Sequence, residues 1–519
     1  MMKISLAEKP STHSYTQRLA TFIKVLPVLF LAFITLWFHL VNLGYSDYQG
    51  DEFQALSFAR SGQGFINGLL QQKKGPTQFI ATYLINLVDP NFTNNFLTRL
   101  PFALAAILAI YFFYKLVELH FGKKIALLAS LFLGTNGLII GLTRIVQYQS
   151  LVMLFSITAL YSLSLAVHRE KWKIAGLYLG MSLWAAAILS HFDGLFIAPF
   201  AGYLLYQWYT DNTYLSARQK LKHLSIIAAA AGIALAIFYV PFLFSASSGT
   251  KSYWSFRFVV NDNKAGLSSS VTNFKLYNPL LVFYLYVIFG HFSIPKIKQT
   301  LPVLLWFLLP WEVLELVIFD PGTHIYTYLI PASILLAFGL VVIEEATVKV
   351  IGSNFGKLFN YAGWVVLFAF LASLSHFVFI DHSPEYPWEN RGYFSWVLSK
   401  PETKGDLWIF GFPYYRHWEE IGQFVQTTCP KGYYSTNETT AIAENYIPTQ
   451  DYQYDPDLST CYIHIEHPQS FRSTLANDKN TYWTKNHKPV QVYENDGRPV
   501  AEIYVMPPGT IADIKTQGN

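Results

Sequence analysis

The sequence predicts an all-α polytopic membrane domain followed by a small extracytoplasmic α/β domain. Three observations predict this fold class. Hydrophobic residues make up 52% of the 519 residues and charged residues only 13%, which excludes an ordinary soluble protein with a solvated surface. Apolar runs of the length that a bilayer requires of a helix recur about eleven times before residue 381. After Ile380 no run of that length remains, and Pro, Asn, Asp and Tyr become frequent.

Each predicted transmembrane helix corresponds to one of these runs. The first run follows several lysines and arginines, but it is longer than a signal-peptide core and lacks a cleavage pattern, so we expect an uncleaved first span. The predicted spans lie near 21–42, 98–119, 124–142, 150–168, 173–190, 192–209, 223–247, 276–294, 300–319, 325–344 and 358–380.

Basic residues between the spans predict the orientation. If the N-terminus is cytoplasmic, alternate crossings put the short basic segments on the cytoplasmic side, as the positive-inside rule expects. An odd number of spans then places residues 381–519 outside, together with the loop 43–97. The basic segments are Lys123 with Lys124, 169–173, 218–222, Lys296 with Lys298, and Lys349 with Lys357.

Two long segments are predicted on the outer side of the membrane domain, which we take as residues 1–380. The first, 43–97, contains an apolar stretch, 75–88, of only about 14 residues, short for a span. We expect it to be an interfacial helix, with a re-entrant segment or a true span as the alternative, so that 43–97 is one long outer loop with two or three helices along the membrane. The second, 247–275, is rich in Ser, Asn and Gly with several aromatic residues. Its length without obvious structure favours a functional loop, and we interpret it as a lid.

Residues 381–519 are predicted to form the soluble extracytoplasmic domain, with strands near Cys461–Ile465 and 500–505. The two cysteines of the chain, Cys429 and Cys461, both lie here. They exclude a cysteine-based metal cluster. A disulfide and a pair of free thiols are both compatible with the sequence.

Several function classes are disfavoured by charge and motifs. The net charge of +4 is small and its basic residues are dispersed, so we exclude nucleic acid as a partner. No Walker-type phosphate loop is present, which argues against ATP-driven transport. A secondary transporter with Asp193, Glu312 and Glu315 on a proton path remains an alternative, although the chain shows no two similar halves.

The adjacent carboxylates of Asp51 and Glu52 are the main candidates for catalysis. They stand where the chain leaves the first span, a position suited to a water-filled active site at the membrane surface. Asp51 is the natural general base, and capping of a helix at Glu52–Arg60 is its alternative or additional role. Glu52 cannot point the same way along a helix, so it is expected to orient a neighbouring loop or the acceptor.

Short motifs in a fixed order support a family resemblance. The chain, over about residues 20–200, resembles the GT-C superfamily of glycosyltransferases that use lipid-phosphate sugars, and most closely the protein O-mannosyltransferase and aminoarabinose (lipid A) transferase branch. The motifs are the first span followed by Asp51-Glu52, then Lys74-Gly75-Pro76, Arg99-Leu100-Pro101 and Phe121-Gly122-Lys123-Lys124.

This resemblance implies a GT-C type fold and a multi-pass protein of a bacterial inner or cell membrane. It implies transfer of a hexose or pentose from a polyprenyl-phosphate donor, with inversion, on the outer face of the membrane. A protein hydroxyl, lipid A and an envelope glycan all remain possible acceptors. A transporter or flippase of lipid-linked sugars is the alternative function.

One departure from the family pattern concerns the second outer loop. Many relatives have an Arg followed closely by an acidic residue there, whereas this loop, at 143–149, has Arg144 but no acid. We therefore expect metal-independent chemistry, with no cofactor and with Asp51 as the sole base. Arg144 is expected to contact the donor phosphate, with a snorkelling interfacial Arg as the alternative.

The remaining candidates are titratable or polar residues at the outer mouths of several helices, which indicates a shared cavity. A structural role is the alternative for each. The predicted donor-phosphate ligands are Lys74, Arg144, Arg257 and His324, and the predicted cavity residues are Gln147, Tyr148, His191 and Asp193.

Overall fold

The computed structural model describes residues 12–60, 64–72, 74–211, 215–258, 266–318, 321–385, 410–469 and 474–510. Helices dominate up to Phe379, and a sheet follows. The α-helices are α1 (Thr12–Leu40), α2 (Glu52–Arg60), α3 (Phe65–Leu70), α4 (Thr77–Asn86), α5 (Asn95–Gly134), α6 (Gly137–Thr143), α7 (Tyr148–His168), α8 (Ala175–Ser190), α9 (Ala198–Thr210), α10 (Ala217–Ser245), α11 (Ser248–Phe258), α12 (Gly266–Tyr277), α13 (Leu280–Phe292), α14 (Ile297–Glu312), α15 (Tyr326–Ile351), α16 (Ser353–Phe379), α17 (Trp418–Thr428), α18 (Thr440–Tyr446) and α19 (Thr474–Asn486).

Within the described residues, 6 helices are long and apolar enough to cross a bilayer, and shorter apolar helices cover Val25–Leu40, α8 and α13. The mostly helical membrane architecture is confirmed, but the predicted number of about eleven spans is not. One reason is that predicted spans are divided: 192–209 becomes a 3₁₀ turn, Phe192–Ile197, followed by the 13 residues of α9. The long helices are α5, α7, α10, Ile294–Val317, Gly322–Ile351 and α16.

The 40 residues of α5 form two helices that meet at Gly122. This residue has φ 82° and ψ 169°, a backbone conformation that glycine adopts without the steric cost borne by other residues. The break falls in the Phe121-Gly122-Lys123-Lys124 motif, between the predicted spans 98–119 and 124–142. The basic pair therefore lies at a kink between two apolar helices.

The two segments predicted on the outer side both contain helices. The loop 43–97 contains α2, α3 and α4, and the 10 residues of α4 are short for a span. Most of the predicted lid, 247–275, consists of α11 and α12; residues 259–265 lie outside the described residues. Its serines serve in part as helix caps rather than as loop residues: Ser247 Oγ accepts a hydrogen bond from the Thr250 N–H at 3.1 Å, at the start of α11.

A five-stranded mixed sheet forms the centre of the C-terminal domain, in the order β2-β1-β3-β5-β4. Strand β1 is parallel to β2 and β3, whereas β5 is antiparallel to β3 and β4. Both predicted strand segments are strands in the structure. The strands are β1 (Gly432–Thr436), β2 (Tyr452–Tyr454), β3 (Cys461–Ile465), β4 (Gln491–Asn495) and β5 (Arg498–Val505).

A disulfide between Cys429 and Cys461 joins the residue after α17 to the first residue of β3, with 5.9 Å between the Cα atoms. The structure thus has the disulfide rather than the free thiols. Disulfides persist in oxidising compartments, so the bond is compatible with an outer location for this domain.

The segment leading into the C-terminal domain packs on the first outer loop. The Gln49 side chain accepts from the Gly411 N–H at 2.8 Å and donates to the Phe412 carbonyl at 3.0 Å. Asp47 accepts from the Arg416 N–H at 2.6 Å, and burial raises the pKa of the Asp47 carboxyl to about 7. These contacts fix the loop that ends at Asp51 between the two domains.

Candidate active site

Glu52 begins α2 and is fully buried. Its Oε1 accepts from Arg99 Nε and from the Val146 N–H, both at 2.9 Å. Its Oε2 accepts from Arg99 Nη2 at 2.7 Å and from the Gln49 N–H at 2.8 Å. Glu52 therefore joins the loop 43–97, the start of α5 and the loop 143–149. Its side chain, 0% exposed, is placed to orient these loops and not to contact an acceptor.

Asp51 has the opposite environment, since 42% of its side chain is exposed. Its Oδ2 accepts from Gln147 Nε2 at 2.7 Å and lies 3.5 Å from Lys74 Nζ. Lys74 Nζ is also 3.5 Å from Gln147 Oε1. The structure thus brings together a carboxylate, an amide and an ammonium group that the sequence places in three separate segments.

The charge state of Asp51 follows from this arrangement. Burial raises the pKa of the Asp51 carboxyl. This effect is outweighed by the positive charge of Lys74, by hydrogen bonds from Gln147 and Lys74, and by His324, so the pKa lies below its ordinary value. Asp51 is therefore ionised at neutral pH, as a group that accepts a proton must be.

Gly75 explains how Lys74 reaches this position. A Cβ atom at Gly75 would lie 2.0 Å from the Leu189 carbonyl oxygen and 2.9 Å from that of Ser190. Only glycine allows the backbone to pack this closely against the end of α8. The Lys74-Gly75-Pro76 segment is thereby held next to the turn that follows α8, and Lys74 Nζ lies 5.1 Å from the centroid of the Tyr148 ring.

Tyr148 connects this cluster to a buried His-Asp-His group. Its ring stacks on His191 with 4.0 Å between the centroids and 13° between the planes. Asp193 then faces two imidazoles, with Oδ1 3.0 Å from His191 Nδ1 and Oδ2 2.9 Å from His324 Nδ1. Burial lowers the pKa of His191 to about 4. Burial raises the pKa of Asp193, but His191 and His324 outweigh it and hold that pKa well below its ordinary value.

The two predicted arginine ligands lie differently. Arg144 is 4% exposed, and its guanidinium donates to the carbonyls of Phe38 and Val41 at the end of α1, the latter at 2.9 Å. Because it is buried against these carbonyls, Arg144 does not present a cation to a cavity, in contrast to the predicted phosphate contact. Arg257 lies in the last turn of α11 and is partly buried.

Sequence reasoning missed two features of this site. Arg99 was recognised only as part of a motif, although a charged residue at the mouth of a span is itself a signal for a buried partner. The close pairing of His191 and Asp193 with His324 was also missed, because 131 residues separate His324 from Asp193. Their separate positions at helix mouths indicated a shared cavity but not direct contact.

Comparison with known proteins gives a family match for part of the chain. Residues 77–244 match the model of the dolichyl-phosphate-mannose-protein mannosyltransferase family. This segment begins with α4 and extends almost to the end of α10, so it includes Arg99, Gln147, Tyr148, His191 and Asp193. No curated protein sequence matches the chain.

Solved structures extend the likeness to the whole fold. ArnT from Cupriavidus metallidurans bound to undecaprenyl phosphate is 13% identical, with a TM-score of 0.50 over 92% of this chain and 97% of that chain. The Archaeoglobus fulgidus oligosaccharyltransferase in its apo form is 11% identical, with a TM-score of 0.49 over 83% and 65%. The S. cerevisiae protein O-mannosyltransferase Pmt1-Pmt2 complex bound to the sugar donor is 16% identical, with a TM-score of 0.32 over 42% and 33%.

The predicted resemblance is therefore confirmed: this membrane protein has a fold of the GT-C glycosyltransferase type and resembles the O-mannosyltransferase and ArnT branch of that superfamily.

Proposed function

We propose that the chain transfers a sugar from a polyprenyl-phosphate donor to an acceptor on the outer face of the membrane, with Asp51 as the general base. The observation that carries this proposal is the ionised, half-exposed carboxylate of Asp51 held between Lys74 and Gln147. Asp51 takes the proton of an acceptor hydroxyl or amine as the acceptor bonds to the anomeric carbon. The bond from that carbon to the phosphate oxygen breaks, and polyprenyl phosphate leaves with the electron pair. A single displacement of this kind inverts the anomeric centre.

A lipid-linked donor is supported by an apolar cavity of about 380 Å³ among α12, α13, α14 and α15. Aromatic and aliphatic side chains make up most of its wall, including those of Phe274, Phe283 and Leu329. Tyr328 belongs to the same wall and lies four residues after His324. A polyprenyl chain in this cavity would place its phosphate near His324 and Lys74. ArnT, the structural relative, was solved with undecaprenyl phosphate bound.

The other predicted site residues fall into two groups, those proposed to contact the donor and those proposed to support the site. Lys74 and His324 are proposed to contact the donor phosphate, as is Arg257. Gln147, Tyr148, His191 and Asp193 form the proposed cavity wall, and Gln147 also orients Asp51. Glu52 and Arg144 are proposed to act through the loops that they hold. No metal is proposed at Asp51, where Lys74 supplies the positive charge.

The direct test is transfer from a synthetic polyprenyl-phosphate sugar by the purified protein in detergent, with mass spectrometry of co-extracted lipids to identify the donor. Acceptors from each class, a protein hydroxyl, lipid A and an envelope glycan, would be offered separately. A transporter or flippase would bind the donor without transferring its sugar. That alternative is not favoured by the glycosyltransferase family match and fold.

Replacing Lys74 by Ala is expected to move the acid limb of the pH–rate profile to higher pH. The Lys74 charge opposes the effect of burial on the Asp51 carboxyl, so its loss raises the pKa below which the base is protonated and inactive. Donor binding should also weaken, because the phosphate is charged in both ground and transition states. The measurement is kcat/KM against pH.

Lys74→Arg keeps the charge and should leave the acid limb near its wild-type position. Lys431→Ala removes an exposed cation of the outer domain and serves as the matched control. An acid limb that stays in place in Lys74→Ala would contradict the proposed coupling of Lys74 to Asp51.

The proposed orientation predicts that Thr510→Cys reacts with a membrane-impermeant maleimide that is added outside sealed, right-side-out vesicles. The native cysteines are joined in a disulfide and should not compete. Lys123→Cys, in the turn at Gly122, is the control and should react only after permeabilisation, because positive residues favour the cytoplasmic side. The reverse labelling pattern would place the C-terminal domain and Asp51 inside.

A further inference from the structure

Two histidines and an aspartate from two distant segments converge next to the Asp51 cluster. His191 and Asp193 lie in the turn between α8 and α9, and His324 lies just before α15. Their side-chain ligand atoms all lie within 4.8 Å of one another. The Asp193 side chain is 0% exposed and directs one oxygen at each imidazole.

We propose that His191, Asp193 and His324 bind a divalent transition-metal ion, with zinc as the best match to their donor set. Imidazole nitrogens and a carboxylate are typical zinc ligands, at about 2.0–2.2 Å from the ion. Two such ligands of one ion are then about 2.8–3.6 Å apart for ligand–metal–ligand angles between 90° and the tetrahedral angle. The distances from Asp193 to His191 and His324, 3.0 and 2.9 Å, fall in this range.

A rotation of the His324 side chain, which is 12% exposed, would bring all three ligand atoms within reach of one ion. The ligand atoms lie within 4.8 Å of one another, and two ligands on opposite sides of one ion are about 4.2 Å apart. The other two ligands are fixed more firmly, because His191 stacks on Tyr148 and contacts the tilted ring of Phe192, and Asp193 is buried.

The electrostatics of the cluster favour a cation. His191 Nδ1 accepts a hydrogen bond from the Asp193 N–H at 3.2 Å, so in that tautomer it carries no proton. The same nitrogen lies 3.0 Å from Asp193 Oδ1, and it cannot both accept from the N–H and donate to the carboxylate. A buried carboxylate is also costly without a positive partner. A divalent ion between them would pair with the lone pair of the nitrogen and with the carboxylate at the same time.

The ion is not proposed to take part in the proton transfer at Asp51. The expectation of metal-independent catalysis rests on the absence of an acidic residue in the loop 143–149 and concerns Asp51 as the sole base. The ion proposed here instead ties the turn after α8 to the start of α15, and so supports the wall against which Tyr148 and Lys74 pack. The test of this proposal measures bound metal rather than turnover, so its outcome does not depend on the proposed glycosyl transfer.

The test is metal analysis of the purified full-length protein after loading with Zn²⁺ and dialysis against metal-free buffer. The wild type is expected to retain about one zinc ion per chain. Asp193→Asn and His324→Ala should lower retention by more than roughly tenfold, whereas His291→Ala, which removes an exposed histidine at the other end of the membrane domain, should not.

Loading the wild type with Co²⁺ gives a second measurement that depends on no variant. Visible absorption bands typical of Co²⁺ with nitrogen and oxygen ligands are expected, and excess Zn²⁺ should remove them. If the wild type retains no more zinc than a protein-free blank, or if Asp193→Asn and His324→Ala retain as much as the wild type, the proposal is wrong. The three residues would then form a hydrogen-bonded group only.

Discussion

Replacing Asp51 by Asn is expected to lower the rate of sugar transfer by about 10²–10⁴-fold, the usual contribution of a general base. The amide keeps the size of the side chain and can still form a hydrogen bond with Gln147, so the local geometry should persist. What is lost is the negative charge that accepts the acceptor's proton. Single-turnover transfer from a polyprenyl-phosphate sugar is the appropriate measurement.

Donor binding, measured separately, should change little in Asp51→Asn, because the proposed donor contacts are Lys74 and His324. The matched control is Asp89→Asn in the same loop, 43–97, where the partly exposed carboxylate accepts hydrogen bonds from the nearby Thr93 and Asn94. Near-normal turnover in Asp51→Asn would exclude Asp51 as the base. Asp193 would then be the next carboxylate to test.

The membrane architecture could be predicted from the sequence because its signal is local. An apolar run of sufficient length dictates a helix in a bilayer whatever its neighbours are. The same locality limits what the sequence says about the number of spans. Composition does not reveal where a run is interrupted, so it predicts one helix over 192–209 although the first third of this run is a 3₁₀ turn. The strands at Cys461–Ile465 and 500–505 were predictable for the same local reason.

The active-site cluster was only partly predictable, since its geometry depends on contacts between distant segments. Asp51 and Lys74 could be selected from their positions at the membrane surface. The sequence did not indicate that Gln147 would bind Asp51, or that Arg144 would face the carbonyls of α1. A guanidinium in a loop is equally suited to a phosphate and to a helix end, and tertiary structure decides between them.

Replacing Arg99 by Ala is expected to give the largest loss of stability, about 3–5 kcal/mol, because it leaves the Glu52 carboxylate buried without its partner. The side chains of Arg99 and Glu52 are 2% and 0% exposed, so water cannot replace the lost contact readily. Arg99 also donates to the carbonyls of Leu43, Ser46 and Asp47. Its removal should therefore loosen the loop that ends at Asp51.

Thermal unfolding followed by tryptophan fluorescence in one detergent would measure this loss. Arg169→Ala, which removes an exposed arginine after α7, is the control and should unfold close to the wild type. Glu52→Gln should also destabilise, since it leaves the buried guanidinium unpaired. The double variant Glu52→Met with Arg99→Met should lose less than the sum of the two single Met variants, because neither charge is then left alone. If Arg99→Ala unfolded at the same temperature as Arg169→Ala, the Arg99–Glu52 ion pair would not hold the Asp51 loop against the loop 143–149. The support for Asp51 would then have to come from the contacts of Asp47 and Gln49 with the C-terminal domain.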